Sequence, residues 1–316
     1  NCSDITSCFV VDVKTLVAYW SIGTSKVKDI RFNSCQSLIY FGNLFKNDID
    51  RTDVSLLFYA CGNLTTVDLT PLSGLLNVTT AENFLYDCKK ITTIDLRPLL
   101  GWINIVNTQG LLKNCEKLTN IDLIPLSGWV KVKYANYLLA GCKNLISVDL
   151  TPLSGWVNTT SAYGLLNGCG ALTSVDLSPL SSWVNVTNAY CLLMRCSRLA
   201  TIDLTPLSGW VNMTNARGLF RECLRLNTID LTPVSKWTKM TNNSELISAC
   251  SKLIHIFINS DIPFALTNGA LTTGNSCPIY VPDEAVDTYK TATNWTAYAS
   301  RIKPMSDFST DFPDEV

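Results

Sequence analysis

The chain has 316 residues, a formal net charge of −1, only 16% charged side chains and no Lys/Arg run, so the electrostatic footprint of a nucleic-acid binder is missing. Hydrophobic residues make up 47% of it, but no stretch approaches the roughly eighteen apolar residues of a membrane span, and the sequence reads as soluble. It begins at Asn1 with neither a methionine nor an apolar signal core, which predicts a processed or trimmed fragment.

In chain order, residues 1–37 are expected to form an N-terminal cap, with short strands at Phe9–Val13 and Ile30–Phe32. Cys2 and Cys8 are the one local pair to consider as a disulfide. From Cys61 onward a cysteine recurs every 27 residues, at Cys61, Cys88, Cys115, Cys142, Cys169, Cys196, Cys223, Cys250 and Cys277. A fixed period of that length means one supersecondary unit copied and stacked. Residues 38–262 form the solenoid, with an irregular first coil over about 38–63 and regular units over 64–252.

The regular units begin at Leu64, Ile91, Leu118, Leu145, Leu172, Leu199 and Leu226, close to L-T-x-I-D-L-T-P-L-S-G-W-V-N-V-T-N-A-x-x-L-L-x-x-C-x-x. The opening block, for example Leu172, Val175, Asp176 and Leu177, reads as a short strand with Asp176 outward. Pro179 and its equivalents stop strand pairing, because proline lacks an amide donor. Ala189, Leu192, Leu193 and Cys196 then fall at i, i+3, i+4 and i+7, which predicts a short helix capped by Thr187 or Asn188. The fold class expected is an α/β solenoid: a right-handed leucine-rich-repeat coil of 27-residue units, parallel strands on the concave face, short helices on the convex face, and terminal caps. Cysteines in one column of such a stack are expected to be reduced, buried and packed as small hydrophobes.

Past the regular units, Leu253–Ile258 keeps the strand but puts Phe257 in the aspartate column, which marks an atypical terminal unit. Residues 263–304 are expected to form a C-terminal cap, with a strand at Pro278–Pro282, a helical region from Asp283, and Trp295 and Tyr298 covering the core. Residues 305–316 read as an acidic tail or linker.

The repeated I-D-L-T-P-L-S-G-W-V-N and L-L-x-x-C-x-x-L blocks, with the closing Ile279-Tyr280-Val281-Pro282-Asp283-Glu284, Tyr289-Lys290 and Trp295, resemble the BspA-like leucine-rich repeats of bacterial surface proteins, notably those of gut Bacteroidetes. The resemblance covers roughly residues 38 to 302. It implies a secreted or lipid-anchored, extracellular or cell-surface molecule acting in adhesion to a protein or glycan on a host or microbial surface.

Three columns compete as functional sites. Asp68, Asp95, Asp122, Asp149, Asp176, Asp203 and Asp230 would lie about 4.8 Å apart if the coils stack in register. Such a row is a solvated, hydrogen-bonded structural feature, a surface for cationic partners, or a calcium site, and a flat row of single carboxylates supplies calcium poorly. A tryptophan in each coil from Trp102 to Trp237 is better explained by packing between coils than by sugar stacking. Within-column variation concentrates where Tyr163, Tyr190 and Arg217 share a column and Tyr137 lies in the next, residue types favoured at interface hot spots. These four are the candidate partner-binding residues.

Catalysis has little footing: the one histidine, His255, sits in a terminal strand, and no nucleophile motif, phosphate loop or metal spacing is present. No cofactor or metal is implied. The reading is a noncatalytic extracellular binding module, with a structural spacer or assembly subunit of a surface or virion fibre as the alternative. Self-association fits either.

Overall fold

The structure, a computed structural model, describes residues 7–9, 16–17, 29–32, 38–40, 45, 48–273 and 276–311. Cys2 lies outside the described residues, as does the side chain of Cys8, so the disulfide considered there falls beyond them. At the N-terminal end, parallel pairs join β1 (Ser7–Phe9) to β3 (Asp29–Arg31) and β2 (Leu16–Val17) to β4 (Leu38–Tyr40).

From residue 53 onward the chain is a leucine-rich-repeat solenoid. One parallel bridge per coil links Asp53, Thr80, Asn107, Tyr134, Ser161, Asn188, Asn215 and Asn242 in succession. In one unit Leu172, Leu177, Leu180, Trp183, Val186, Ala189, Leu192, Leu193 and Cys196 are all buried, and the same columns continue above and below as a single hydrophobic core. No coil could bury that set alone, which is why the repeats stack.

The short helices are not where periodicity placed them. Ala189 to Cys196 is a ribbon of turns, not a helix. Alternate amides there donate to the next coil, as from Asn83 to Gln109 (2.7 Å), Leu85 to Leu111 (2.9 Å) and Asp87 to Lys113 (2.8 Å), while those between donate three residues back, as from Leu111 to Thr108 (3.1 Å). An α-helix would keep all those donors for its own carbonyls. The ribbon needs left-handed backbone twice per coil, for instance at Asn83 and Asp87 (φ 52° and 65°) and at Gly164 and Gly168 (φ 59° and 76°). The helical turns are 3-10 and follow the aspartates, at Thr70–Leu72, Arg97–Leu99, Ile124–Leu126, Thr151–Leu153, Ser178–Ser182, Thr205–Gly209 and Thr232–Lys236. Each carries its proline in the first turn, where a missing amide costs nothing.

The strand expected at L-x-x-I-D-L also differs. Between Val67 and Leu204 the Ile/Val-Asp-Leu amides make no bond to a neighbouring coil, and only earlier residues reach across, such as Thr92 to Thr65 (3.2 Å). From Asp68 to Asp203 the aspartates therefore do not sit on strands that are hydrogen-bonded to one another. Regular pairing begins at β5 (Thr228–Asp230) and runs through β6 (His255–Phe257), β7 (Ile279–Val281) and β8 (Ile302–Pro304), all parallel.

Buried donors tie coil to coil. Each column thiol from Cys88 to Cys250 donates to the carbonyl thirty residues earlier, at 3.0 to 3.4 Å. The indoles of Trp129, Trp156, Trp183, Trp210 and Trp237 do the same at 2.9 to 3.4 Å. The column cysteines from Cys61 to Cys277 are all buried thiols.

At the C-terminal end, α1 (Val286–Thr291) and a 3-10 turn (Thr296–Arg301) close the core. The Trp295 indole donates to the Phe264 carbonyl at 2.9 Å and the Tyr298 hydroxyl accepts from the Leu271 amide at 3.1 Å. The stretch read as a tail contains a helix, α2 (Met305–Asp311), whose Phe308 packs edge-on against His255, Phe257 and Tyr280. No helix among the described residues is long and apolar enough to cross a membrane.

Candidate contact faces

The aspartate column is built into the turn that follows it. Each Oδ1, from Asp68 to Asp230, accepts the backbone amide two residues on at 2.8 to 2.9 Å, an Asx turn that opens the 3-10 turn. One oxygen of every carboxylate is thereby engaged, and all seven side chains are exposed. Hydrogen bonding from the Arg97 guanidinium at 2.6 Å pulls Asp95 down to about 2. Bonds from Thr151 and from Ser178 lower Asp149 and Asp176 in the same direction.

Where the first of these segments part, Thr66, Val67, Asp68, Ile94, Asp95 and Asp122 line an open groove of about 830 Å³. Among the described residues no three His, Cys, Asp or Glu side chains converge as a metal site. The exposed carboxylate oxygens give this face its acidic character; they do not form a coordination sphere.

The ribbon face carries the tyrosines. Tyr137 meets Tyr163 with ring centroids 4.5 Å apart, Tyr163 meets Tyr190 at 4.8 Å, and the Arg217 guanidinium caps Tyr190 at 5.8 Å. The structure thus brings all four sequence-predicted contact residues into one continuous stack. It also extends the stack to residues that column variation did not single out. Lys113 Nζ lies 3.9 Å from the Tyr137 ring centre and 5.2 Å from that of Tyr86, which stacks on Tyr59 at 5.0 Å. The available signal was positional, since Tyr59, Tyr86 and Lys113 occupy one column, 27 residues apart.

Backbone geometry makes room for that stack. Tyr137 is itself left-handed (φ 54°), unusual for a bulky residue. Its ring lies over Gly164, where an added Cβ would come within 2.6 Å of it. Burial, with the hydrogen bond to Tyr163 second, raises the Tyr137 phenol well above its ordinary value. Stacked rings cover one another's faces, so the column presents edges and hydroxyls, with Tyr163 and Tyr190 half-buried and Arg217 exposed. Beyond it Arg195, Glu222, Arg221, Glu245 and Arg217 form a chain of alternating ion pairs from 2.9 to 3.6 Å.

Other columns are closed to ligands. The tryptophans from Trp102 to Trp237 are at most 2% exposed, so sugar cannot stack on them. Burial pushes the thiols of Cys142, Cys196 and Cys250 up to about 12, which leaves them without thiolate character at neutral pH. His255 is buried in β6, within 6.0 Å of three aromatic ring centres.

No family model and no curated protein sequence matches the chain. Among solved structures it is similar to internalin C2 of Listeria monocytogenes, at 18% identity over 65% of this chain and 79% of that one, with a TM-score of 0.39. It is similar to a leucine-rich repeat protein from Bacteroides ovatus, at 14% identity over 79% and 69%, with a TM-score of 0.37. A third similarity is to the functional domain of InlJ from Listeria monocytogenes, which includes a cysteine ladder, at 14% identity over 84% and 70%, with a TM-score of 0.21.

Proposed function

We propose that this chain is a noncatalytic, extracellular or cell-surface binding module that holds a protein or glycan partner on its tyrosine stack. One observation carries the reading. Along a solenoid whose core columns repeat, the column Glu82, Gln109, Asn136, Tyr163, Tyr190, Arg217 changes chemistry at almost every coil, and its tyrosines and arginine meet in one stack with Tyr137. Uniform columns serve the stack, whereas a column that varies while its backbone stays constant is free to serve a partner. Tyrosine and arginine add large, semi-rigid contact area at low entropic cost, as at interface hot spots.

The BspA-like resemblance of the repeat blocks supports the finer reading, adhesion to a host or microbial surface by a secreted or anchored protein. The inert thiols and the aromatic burial of the one histidine fit a scaffold without a catalytic role. The test is binding to host matrix proteins and to a glycan array, with Tyr163, Tyr190 and Arg217 each changed to Ala. At least one substitution is expected to weaken binding roughly tenfold or more, the size of a hot-spot loss. Unchanged binding by all three would remove the stack as the contact surface.

A further inference from the structure

We propose that the face between the aspartate column and the corner after each cysteine pairs with the same face of a second copy, the two solenoids running parallel. The corner position two residues past the cysteine carries Lys90, Lys117, Arg198, Arg225 and Lys252. Four of these, Lys117, Arg198, Arg225 and Lys252, are exposed and make no ion pair among the described residues. In each coil from Lys90 to Asp230 the aspartate follows the corner by five residues. Five residues of extended chain span about 16 Å, too far for the two charges to meet within one chain. Among the described residues, only Asp95 in the row has a cationic partner, Arg97.

The face therefore bears an acidic stripe with one carboxylate per coil from Asp68 to Asp230 and, beside it, a basic stripe that Asn144 and Ala171 interrupt in the middle. A two-fold axis along the solenoid, between two chains set face to face, carries the acidic stripe of one copy onto the basic stripe of the other. Lys117 then faces Asp122 of the other copy, Arg198 faces Asp203, and Arg225 faces Asp230, in one register on either side of two middle coils where Asn144 and Ala171 face Asp149 and Asp176. A two-fold axis across the coils would lay acid on acid, so the charges select the parallel arrangement. The occupant follows from the spacing, because a second copy carries complementary charges at the same 27-residue repeat. A net charge of −1 leaves no overall repulsion to oppose the approach. Between the stripes, Ile94, Ile121 and Val148 are only partly buried and supply apolar contact.

The inference is independent of the tyrosine stack, which lies on the ribbon side of the coil. Its test is sedimentation of the whole chain in salt of about 0.1 M and about 1 M, where charges are screened over roughly 10 Å and 3 Å. A doubled mass is expected in the first and a single mass in the second. One variant combines Arg198→Glu with Arg225→Glu, and another combines Asp203→Arg with Asp230→Arg. Each alone places like charges opposite one another and is expected to be monomeric, while an equal mixture recovers the doubled mass. That recovery also shows that both variants are folded. A single mass for the unaltered chain in low salt, a dimer that persists in high salt, or a mixture that stays monomeric would each overturn the proposal.

Discussion

The middle coils and the C-terminal end place the same sequence positions differently. From Asp68 to Asp230, six successive junctions bring aspartate beside aspartate, and at none do the Ile/Val-Asp-Leu amides bond across the gap. From β5 onward the column reads Asp230, Phe257, Tyr280, Lys303, and there the strands pair in register. The tryptophan column accounts for part of the difference, since its rings stack at 6.0 to 6.2 Å, wider than the roughly 4.8 Å of paired strands. It does not account for all of it. The first junction joins a coil with Leu75 to one with Trp102 and is unpaired too. Adjacent like charge is the feature common to all the open junctions, and like charges directly opposite destabilise strand pairs.

The sharpest way to break that comparison is to carry the middle's chemistry into the end. Phe257→Asp would set a carboxylate beside Asp230 and remove a ring that stacks on Tyr280 at 5.3 Å and meets Phe308 at 4.9 Å. A loss of about 2–4 kcal/mol is expected in chemical denaturation, from lost burial and from like-charge apposition. Hydrogen exchange localises it. The Leu231 amide, which donates to the Phe257 carbonyl at 2.8 Å, should lose protection and behave like the unpaired Leu204 amide. Phe257→Leu, which keeps the position neutral, should retain that protection. If both variants keep it, charge is not what opens the middle.

How much of this was legible follows from which rule each segment obeys. The 27-residue stack, the buried thiol and indole columns and the outward aspartates were readable because each follows from burial pattern alone. The ribbon was misread as helix because i, i+3, i+4, i+7 spacing also arises when two tight turns follow one another. The correcting signal was in the sequence. Asn83, Gly110 and Gly164 in one column and Asp87, Asn114, Gly141 and Gly168 four residues later are types that tolerate left-handed backbone. Strand pairing at the aspartates was over-read because alternation reports which way side chains point and says nothing of coil spacing. Tyr163, Tyr190 and Arg217 stood out as a variable column with Tyr137 in the next; the extension of their stack through Lys113 to Tyr86 depends on side-chain directions that no spacing rule supplies.

A smaller effect separates two tryptophans of one column. The Trp156 indole donates to the Leu126 carbonyl at 3.1 Å. Trp102, the first of the column, is just as buried, but its Nε1 has no hydrogen-bond partner among the described residues. Phenylalanine removes similar ring area at either site, so the difference between the two substitutions isolates the hydrogen bond. Trp156→Phe is expected to cost about 1 kcal/mol more than Trp102→Phe in urea denaturation. Equal costs would mean that the indole bonds contribute nothing net and that the tryptophans act through ring packing.

The smallest expected effect tests what the aspartates do where strands fail to pair. Two opposed influences act on Asp149: hydrogen bonds from Thr151 in the turn favour its charged form, and burial and the neighbouring Asp176 oppose it. For Asp149 the neighbour's charge is the weakest of the causes acting and the net shift is downward. Asp176 is lowered as well, and Asp95 falls to about 2. At Asp149 the turn bonds therefore outweigh the neighbour's charge. A carboxyl lowered in the folded chain stabilises it fully above the unfolded value of 3.8, and that contribution disappears as pH falls through the lower folded value. The urea midpoint should accordingly stay level above about pH 5 and decline between about pH 4 and 2. Asparagine keeps the acceptor for the turn without titrating, so Asp149→Asn with Asp176→Asn should make that decline shallower. A midpoint that rises on acidification would instead make relief of repulsion the dominant influence and reverse the account of the middle coils.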